Sequence, residues 1–295
     1  LCPTSILVNQ HLVVFKERLS PFGVTVSGLV GGLLKTKKTE IKVGWVDKKI
    51  DVLIATSAAL YDDVFIKFAS FFVVDEEHRF GVKQKEVLVN KFVNKDVLFM
   101  SATPIPRTLH LSLAGIHNIS TLSSPPVLRK PINTIVSYFS ENLIKQGIEF
   151  ELSRGGQVFY LYNRVENILA VKSFLLRLCP SVSVGVVHSS LGIKKITNIV
   201  EGFINKKYNL LLCSSVIASG VDIPNANTIF IDNSHLFGLA QLHQIRGRVG
   251  RGGTQAFAYL LVPKNKALTD SGKKRLKTIE QNSALGSGYN LSKAD

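Results

Sequence analysis

The sequence predicts an α/β protein built from two tandem domains, each with a parallel sheet. Short apolar runs rich in β-branched and aromatic residues alternate with segments of helical periodicity. Residues 45–57 and 203–215 share a pattern of an aromatic residue, a turn, a Lys-Lys pair and an apolar strand that ends in hydroxyls. Residues 74–81 and 231–238 share a second pattern at nearly the same offset. Two matches in one order predict an internal duplication.

In the first half, five apolar runs are predicted to be strands and one periodic segment a helix. Runs that stay apolar without alternation are typical of strands covered on both faces. The helix is expected at Asn9–Leu19. The strands are expected at Ser5–Val8, Val24–Ser27, Val52–Ala55, Phe71–Val74 and Val97–Met100.

The second half repeats this alternation from about Tyr138. A polar, Lys-rich segment at Ser271–Gln281 is predicted to be a helix with a solvated charged face. The strands are expected at Val158–Tyr162, Ser183–Val187, Leu210–Cys213, Thr228–Ile231 and Ala256–Leu261. Prolines near residues 125–131 indicate a linker. We therefore expect domains at 1–126 and 138–265, a linker at 127–137 and a further segment at 266–295.

Composition favours a folded protein with an anionic partner. Hydrophobic residues make up 45% of the chain, which supports buried cores. The net charge is +15 and the pI is about 9.7, so nucleic acid is the first candidate partner. Three scattered cysteines suit a reducing compartment such as the cytoplasm. No apolar stretch is long enough to suggest a membrane span.

The most informative motif is the run from Gln244 to Arg251, with the spacing Gln-x-x-Gly-Arg-x-Gly-Arg. Arginine offers a planar, permanently charged fork that fits phosphate oxygens, and the glycines let the backbone come close. The alternative interpretation is a basic, glycine-rich surface loop.

A second motif follows the predicted strand Phe71–Val74, where Asp75 and Glu76 begin an acidic turn. Acids at the carboxyl end of such a strand lie where open α/β sheets bind ligands. One carboxylate there can hold Mg²⁺ and the next can orient or deprotonate a water. A solvated acidic turn is the simpler alternative, but it does not explain the Ser101-Ala102-Thr103 run after the next strand.

These three motifs, in this order, resemble those of superfamily 2 helicases and translocases. Longer matches resemble the bacterial transcription-repair coupling factors, which are ATP-dependent DNA translocases. The matching segments are 3–11, 75–81, 101–109, 155–166, 220–229 and 237–244. Branch-migration helicases share several of these motifs, but residues 160–166 and 285–289 favour the coupling factors. The resemblance implies two RecA-like domains, with 266–295 starting a translocation-motif region.

The resemblance implies roles for the residues of the first domain. Asp75 would bind Mg²⁺, and Glu76 would act on the water that attacks ATP. A set of polar side chains would link the nucleotide state to the gap between the domains. These are His78, Ser101 and Thr103.

In the second domain, the resemblance implies that Arg248 and Arg251 reach the γ-phosphate, with Gln244 beside them. Gly220 and Asp222 would help to hold the nucleotide. We therefore expect Asp75 and Arg248 to face each other across a cleft between the domains.

Five polar residues would contact the backbone of double-stranded DNA: Thr4, Thr56, Asn163, Ser214 and Ser215. Such contacts carry little sequence information and weaken with salt. For each hydroxyl alone, a cap at a strand end is an equally good interpretation. RNA polymerase would be bound through domains outside this chain.

The sequence departs from the family in ways that leave the function open. The phosphate-binding loop Gly-x-x-x-x-Gly-Lys-[Ser/Thr] is absent, and Gly31–Thr36 does not replace it. In the family this loop lies upstream of the matching residues, so we expect this chain alone to be inactive as an ATPase. Ser57, Ser189 and Ala218 replace usual family residues. Alternatives are an inactive DNA-binding remnant, a branch-migration helicase and, least favoured, an RNA helicase.

Overall fold

The computed structural model describes residues 1–92, 94–101, 120, 122, 130–214, 223–265 and 267–281. The described residues form two compact units, one up to residue 101 and the other from residue 120 onward. Both units are α/β with parallel strands, which confirms the predicted fold class. Thr103, Ser215, Gly220 and Asp222 lie outside the described residues.

The described part of the first unit contains four strands and four α-helices. The helices are α1 Ser5–Leu19, α2 Lys35–Val46, α3 Asp63–Lys67 and α4 Val82–Lys91. The strands are β1 Val26–Leu29, β2 Val52–Ala55, β3 Phe71–Asp75 and β4 Asp96–Met100. Strand β1 pairs with β2, and β3 pairs with β4, both in parallel.

Residues Leu1 and Cys2 lie between these two strand pairs. The Cys2 N–H donates to Ala55 at 2.9 Å, and the Asp75 N–H donates to the Leu1 carbonyl at 2.9 Å. The Leu1 amino group donates to the Val73 carbonyl at 2.6 Å. These bonds join β2 and β3 through two residues, so the Asp75 backbone is held by the chain start as well as by β4.

The predicted strand Ser5–Val8 is wrong, because these residues form the first turn of helix α1. The Thr4 hydroxyl accepts a hydrogen bond from the Leu7 N–H at 3.3 Å and so caps the helix. Leu7 and Val8 are buried beneath it. A short apolar run fits a buried helical turn as well as a strand, and here the capping threonine decides.

The second unit is built on a six-stranded parallel sheet in the order β5-β10-β9-β6-β8-β7. The strands are β5 Asn133–Tyr138, β6 Gln157–Leu161, β7 Val184–Val187, β8 Leu210–Cys213, β9 Ala226–Ile231 and β10 Phe257–Val262. The helices are α5 Glu141–Ser153, α6 Ile168–Leu178, α7 Ile193–Ile204, α8 Leu239–Arg246 and α9 Asp270–Gln281. Every residue of β6, β8 and β9 is buried, which explains why apolar residues predominate in these strands.

Strand β5 falls largely within the segment expected to be a linker. Its six residues pair in parallel with β10, from Asn133 opposite Phe257 to Tyr138 opposite Val262. As an edge strand with polar residues at three of six positions, it has no continuous apolar run. The second sheet therefore begins five residues earlier than the sequence pattern indicates.

The internal repeat predicted from the sequence recurs in the backbone. Strands β1 and β7, and strands β2 and β8, coincide in their bounds at a shift of 158 residues. Lys48 and Lys206 both adopt positive φ, at 56° and 60°. The following residues, Lys49 and Lys207, each donate a backbone hydrogen bond of 2.8 Å to a helical glycine.

Side-chain contacts follow the same repeat. The Thr25 N–H donates to Asp51 at 2.8 Å, and the Ser183 N–H donates to Asn209 at 2.8 Å. In each unit this contact joins the residue before the first strand of the pair to the residue before the second. Together with the repeated backbone, it supports duplication of one ancestral unit.

Among the described helices, none is long and apolar enough to cross a membrane. Cys2, Cys179 and Cys213 are buried free thiols, as expected from their scattered positions.

Candidate active site

The acidic turn of the first unit begins at the carboxyl end of β3. Asp75 is the last residue of the strand and lies opposite Met100 of β4. Glu76 follows with φ 51° and ψ 47°, a left-handed conformation that non-glycine residues seldom adopt. Glu77–Arg79 then form a single 3₁₀ turn. This geometry separates the two neighbouring carboxylates, and Glu76 is only 7% exposed.

Asp75 is hydrogen-bonded to His11 of helix α1. The His11 Nε2–H donates to Asp75 Oδ2 at 3.0 Å. This bond is the main reason why the pKa of His11 is raised to about 9. Burial would raise the pKa of Asp75, but the hydrogen bond and charge of His11 outweigh it, and the pKa of Asp75 is lowered. Asp75 is therefore an anion in a hydrogen-bonded position, and His11 is a site residue that the sequence analysis did not identify.

His78 lies between the acidic turn and the end of β4. Its Nδ1 atom is 3.4 Å from Glu76 Oε2 and 3.4 Å from the Ser101 hydroxyl. Beside it, burial lowers the pKa of Arg79, and the Glu76 charge opposes that shift. The structure thus brings together Glu76, His78 and Ser101, as the motif order predicts.

The described residues contain no group of three or more His, Cys, Asp or Glu side chains that could hold a metal ion. Mg²⁺ often takes only one or two protein carboxylates and completes its shell with water and substrate phosphates. Asp75 fits that role, since it is a carboxylate with a lowered pKa at the carboxyl end of β3, and its Oδ2 accepts a hydrogen bond from His11. The donor set is therefore compatible with a magnesium–nucleotide complex rather than with a permanent metal site.

In the second unit, the Gln244–Arg251 motif covers the end of helix α8 and the turn after it. The helix ends at Arg246, and the Arg248 N–H donates to the Ile245 carbonyl at 3.1 Å. Gly250 has φ 76°, and a Cβ there would lie 2.9 Å from the Cβ of Ala256. A Cβ on Gly252 would lie 2.6 Å from the Pro224 carbonyl oxygen. Gly250 is therefore required by its positive φ and the nearby Ala256 side chain, and Gly252 by the close approach of the Pro224 backbone.

The three arginines of this motif differ in their surroundings. Arg246 is buried and donates to the Ile279 carbonyl of helix α9 at 2.9 Å. Burial lowers the pKa of Arg246 to about 10. Arg248 is buried at 6% exposure, whereas Arg251 is exposed. The role of Arg246 is not evident from the sequence, because its hydrogen bond is to Ile279, 33 residues further along the chain.

The second unit has a turn equivalent to the acidic turn, formed by Asp232 and Asn233. Asn233 has φ 50° and ψ 43°, and a 3₁₀ turn follows at Ser234–Leu236. Burial raises the pKa of Asp232. Since Asn233 replaces the acid of the first turn, the pair of adjacent carboxylates is found only in the first of these two turns.

The four described residues with expected DNA contacts lie after strands or at a helix start. Thr4 caps α1, and Thr56 follows β2 and bridges Cys2. Asn163 is exposed beyond β6. Ser214 follows β8 but is buried at 3% exposure. Of the four, Asn163 is the most accessible to a partner. Thr4 caps the start of a helix rather than the end of a strand.

Two protein families match this chain, one in each of its two units. Residues 1–111 match the DEAD/DEAH box helicase family, and residues 140–253 match the helicase conserved C-terminal domain. The chain therefore has the two domains of a superfamily 2 helicase core.

Individual relatives identify a family within the superfamily 2 helicases. The chain is 43% identical to the transcription-repair-coupling factor of Myxococcus xanthus and 39% identical to that of Escherichia coli strain K12, over its full length in both cases. It is a helicase core of the transcription-repair-coupling-factor family. The chain spans about a quarter of the length of these relatives, 25% and 26% respectively.

Solved structures support the same fold. A structure of RecG bound to a three-way DNA junction matches with a TM-score of 0.79 and 33% identity, covering 99% of this chain and 38% of RecG. The Dbp5 L327V variant of S. cerevisiae, bound to RNA and ADP BeF3, matches with a TM-score of 0.70 and 16% identity. It covers 95% of this chain and 73% of Dbp5, and at that identity it shows the fold alone.

Proposed function

We propose that this chain is the motor core of an ATP-dependent double-stranded DNA translocase that acts in transcription-coupled repair by displacing stalled RNA polymerase. The observation that carries the proposal is the acidic turn at β3, with an ionised Asp75 beside a buried Glu76 that contacts His78. The whole-length identity to coupling factors supports the choice of DNA and of the repair pathway.

In the proposed reaction, Asp75 would hold the magnesium complex of ATP, and Mg²⁺ would supply positive charge against the phosphates when bound. Glu76 accepts a hydrogen bond from the attacking water and orients it toward the γ-phosphate. His78 and Ser101 would respond to hydrolysis of the nucleotide. His78 contacts Glu76, and Ser101 contacts His78. Arg248 and Arg251 of the second unit stabilise the negative charge that develops during transfer.

DNA is proposed to bind through its backbone. The net charge of +15 favours a polyanion, and Asn163 and Thr56 offer polar groups at strand ends. Binding of RNA polymerase is assigned to parts of the relatives' length that this chain does not span. Each ATP cycle would then drive movement along the duplex and push on a polymerase in its path.

Two other functions are each favoured by one observation. The net charge of +15 can attract DNA without any nucleotide site, which favours a DNA-binding protein without ATPase activity. The match to RecG at 33% identity favours a branch-migration helicase. Both alternatives keep DNA binding by this core. The first differs from the main proposal in having no ATP hydrolysis, and the second differs in the DNA structure that stimulates hydrolysis.

DNA-stimulated ATPase activity tests the proposal in three versions of the chain. These are the 295-residue chain, a version with the phosphate-loop strand of a coupling factor placed ahead of Leu1, and that version with Glu76→Gln. We expect turnover only in the second, because a missing loop removes phosphate positioning and a missing carboxylate removes water activation. Turnover by the chain alone, or by the Glu76→Gln version, would show that the nucleotide site is elsewhere. Stimulation by branched DNA but not by linear duplex would favour the branch-migration alternative.

A further inference from the structure

We propose that a cavity at the carboxyl edge of strands β5 and β10 binds a nucleotide unit, with its base against Tyr138 and its phosphate between Lys264 and Lys273. The cavity measures about 460 Å³ and lies wholly in the second unit. It is lined by Tyr138, Lys264, Asn265, Ala267, Leu268 and Lys273. Its volume falls in the range of small-ligand sites, roughly 300–1,000 Å³.

Three elements converge to form this cavity. Tyr138 is the last residue of β5 and lies opposite Val262, the last residue of β10. Lys264 follows two residues later, and helix α9 contributes Lys273 from its first turns. The carboxyl edge of a parallel sheet is where α/β proteins bind ligands, and this part of the edge carries none of the residues assigned to ATP or DNA above.

Three of the four polar side chains of the cavity have no partner among the described residues. Within that part of the chain, no hydrogen bond or ion pair engages the Tyr138 hydroxyl, the Lys264 amine or the Asn265 amide. Lys273 pairs with Asp270 at 3.5 Å, but Asp270 is fully exposed, so that pair is readily exchanged. A ligand could therefore meet the Lys264 amine and the Asn265 amide directly, and Lys273 by exchange of its surface pair.

The chemistry of the lining selects the ligand class. The Tyr138 side chain is 59% exposed and presents an aromatic surface at the cavity. A base stacked on an aromatic ring gains about tenfold or more in affinity. Two ammonium groups suit a phosphate, and the Asn265 amide can donate to and accept from a base edge or a sugar hydroxyl. A simple anion would leave the ring unused, and an apolar ligand would leave both lysines unused.

The position of the cavity separates it from the proposed backbone contacts. Strand β5 is four positions from β8 in the sheet, so Tyr138 lies roughly 19 Å from the strand end that carries Ser214. This exceeds the spacing of adjacent phosphates on one strand. The nucleotide unit can therefore come from free ATP or from a separate stretch of bound DNA, and only the second source depends on the proposed function.

Equilibrium binding by the intact chain distinguishes these sources. The probes are a fluorescent ATP analogue and a labelled 30-base-pair duplex, each titrated against wild type, Tyr138→Ala, Tyr138→Phe and the double variant Lys264→Ala/Lys273→Ala. The matched control is Lys194→Ala/Lys195→Ala, which removes two exposed charges from α7. We expect Tyr138→Ala and Lys264→Ala/Lys273→Ala to weaken one probe about tenfold, and Tyr138→Phe and the control to change it less than twofold.

The outcomes test the nucleotide site separately from the proposed translocase function. Weakening of the ATP analogue alone assigns the site to free nucleotide, and weakening of the duplex alone assigns it to DNA. Unchanged affinity of the variants for both probes, or an equal loss of affinity in the lysine control, overturns the proposed site. The translocase proposal is unaffected by that result as long as wild type binds the duplex. A wild-type chain that binds ATP through Tyr138 but no duplex supports the site and contradicts DNA binding. A wild-type chain that binds neither probe contradicts both.

Discussion

Glu76 and Asn233 occupy equivalent positions in the two units and share one unusual backbone conformation. Each follows the aspartate at the carboxyl end of a strand, and their φ angles are 51° and 50°. Asparagine is among the residues that tolerate this region best, whereas glutamate is not. The first unit thus keeps a carboxylate where the backbone favours the residue found in the second. Such local strain is typical of functional sites.

This relationship predicts the effect of Glu76→Asn. The variant should fold at least as stably as wild type, because asparagine suits the left-handed turn. In the version carrying a phosphate loop it should lose ATP turnover by roughly 10²–10⁴-fold, since its amide cannot accept a proton from water. Thermal unfolding and steady-state ATPase assays check the two effects. A stable variant that retains turnover would exclude Glu76 as the residue that acts on water.

The His11–Asp75 pair predicts a stability optimum in pH. The pKa of His11 is raised to about 9, so its contribution is complete below about 6.5 and is lost as pH rises through 9. The pKa of Asp75 is lowered, so its contribution is present above about 3.9 and is lost as pH falls below it. Denaturant unfolding without Mg²⁺ should therefore show a larger difference between wild type and His11→Gln at pH 6 than at pH 10. An equal difference at both values would mean that the pair does not form.

Gly156→Ala should destabilise the second unit strongly. A Cβ at this position would lie 1.6 Å from Glu151 Oε1, and Glu151 is fully buried. That carboxylate accepts hydrogen bonds from Thr228 at 2.5 Å and from Asn227 at 3.3 Å, so it cannot move without breaking them. We expect a loss of about 3 kcal/mol in the free energy of unfolding.

The matched control for this substitution is Gly192→Ala. Gly192 has no heavy atom within 4 Å of an added Cβ and an ordinary φ of −63°. Its substitution should change stability by less than about 0.5 kcal/mol. Urea unfolding of both variants measures the contrast, and similar values for the two would contradict the packing around Glu151.

Arg246→Ala should loosen helix α9. The substitution removes the donor to the buried Ile279 carbonyl and should cost about 2 kcal/mol. Hydrogen exchange should speed up in residues 270–281, while Lys277→Ala on the exposed face of the same helix should leave exchange unchanged. Unchanged protection of α9 in Arg246→Ala would show that other contacts hold the helix.

The sequence alone predicts the bounds of those strands whose apolar runs have clear ends. Val52–Ala55 and Leu210–Cys213 were predicted at their observed bounds, since turns precede them and hydroxyls follow them. Ser5–Val8 was predicted as a strand, because only the Thr4 cap distinguishes it from one. Strand β5 was missed because an edge strand does not need a continuous apolar run.

The candidate site was predictable in part for a similar reason. The strand-end rule brings Asp75 and Ser101 to one edge of a sheet from sequence order alone. His11 could not be assigned in this way, because its contact with Asp75 joins residues 64 positions apart and depends on how α1 packs. Arg246 lay inside a recognised motif, yet its role depends on the position of helix α9.

The central claim is movement along duplex DNA driven by ATP hydrolysis at the Asp75–Glu76 turn. The most direct measurement is displacement of a labelled third strand from a linear triplex by the version carrying a phosphate loop, with its Glu76→Gln variant as control. The account predicts ATP-dependent displacement by the first protein and none by the second, although both bind the duplex. Displacement that is equal in the two proteins, or ATP hydrolysis by the first without any displacement, would contradict it.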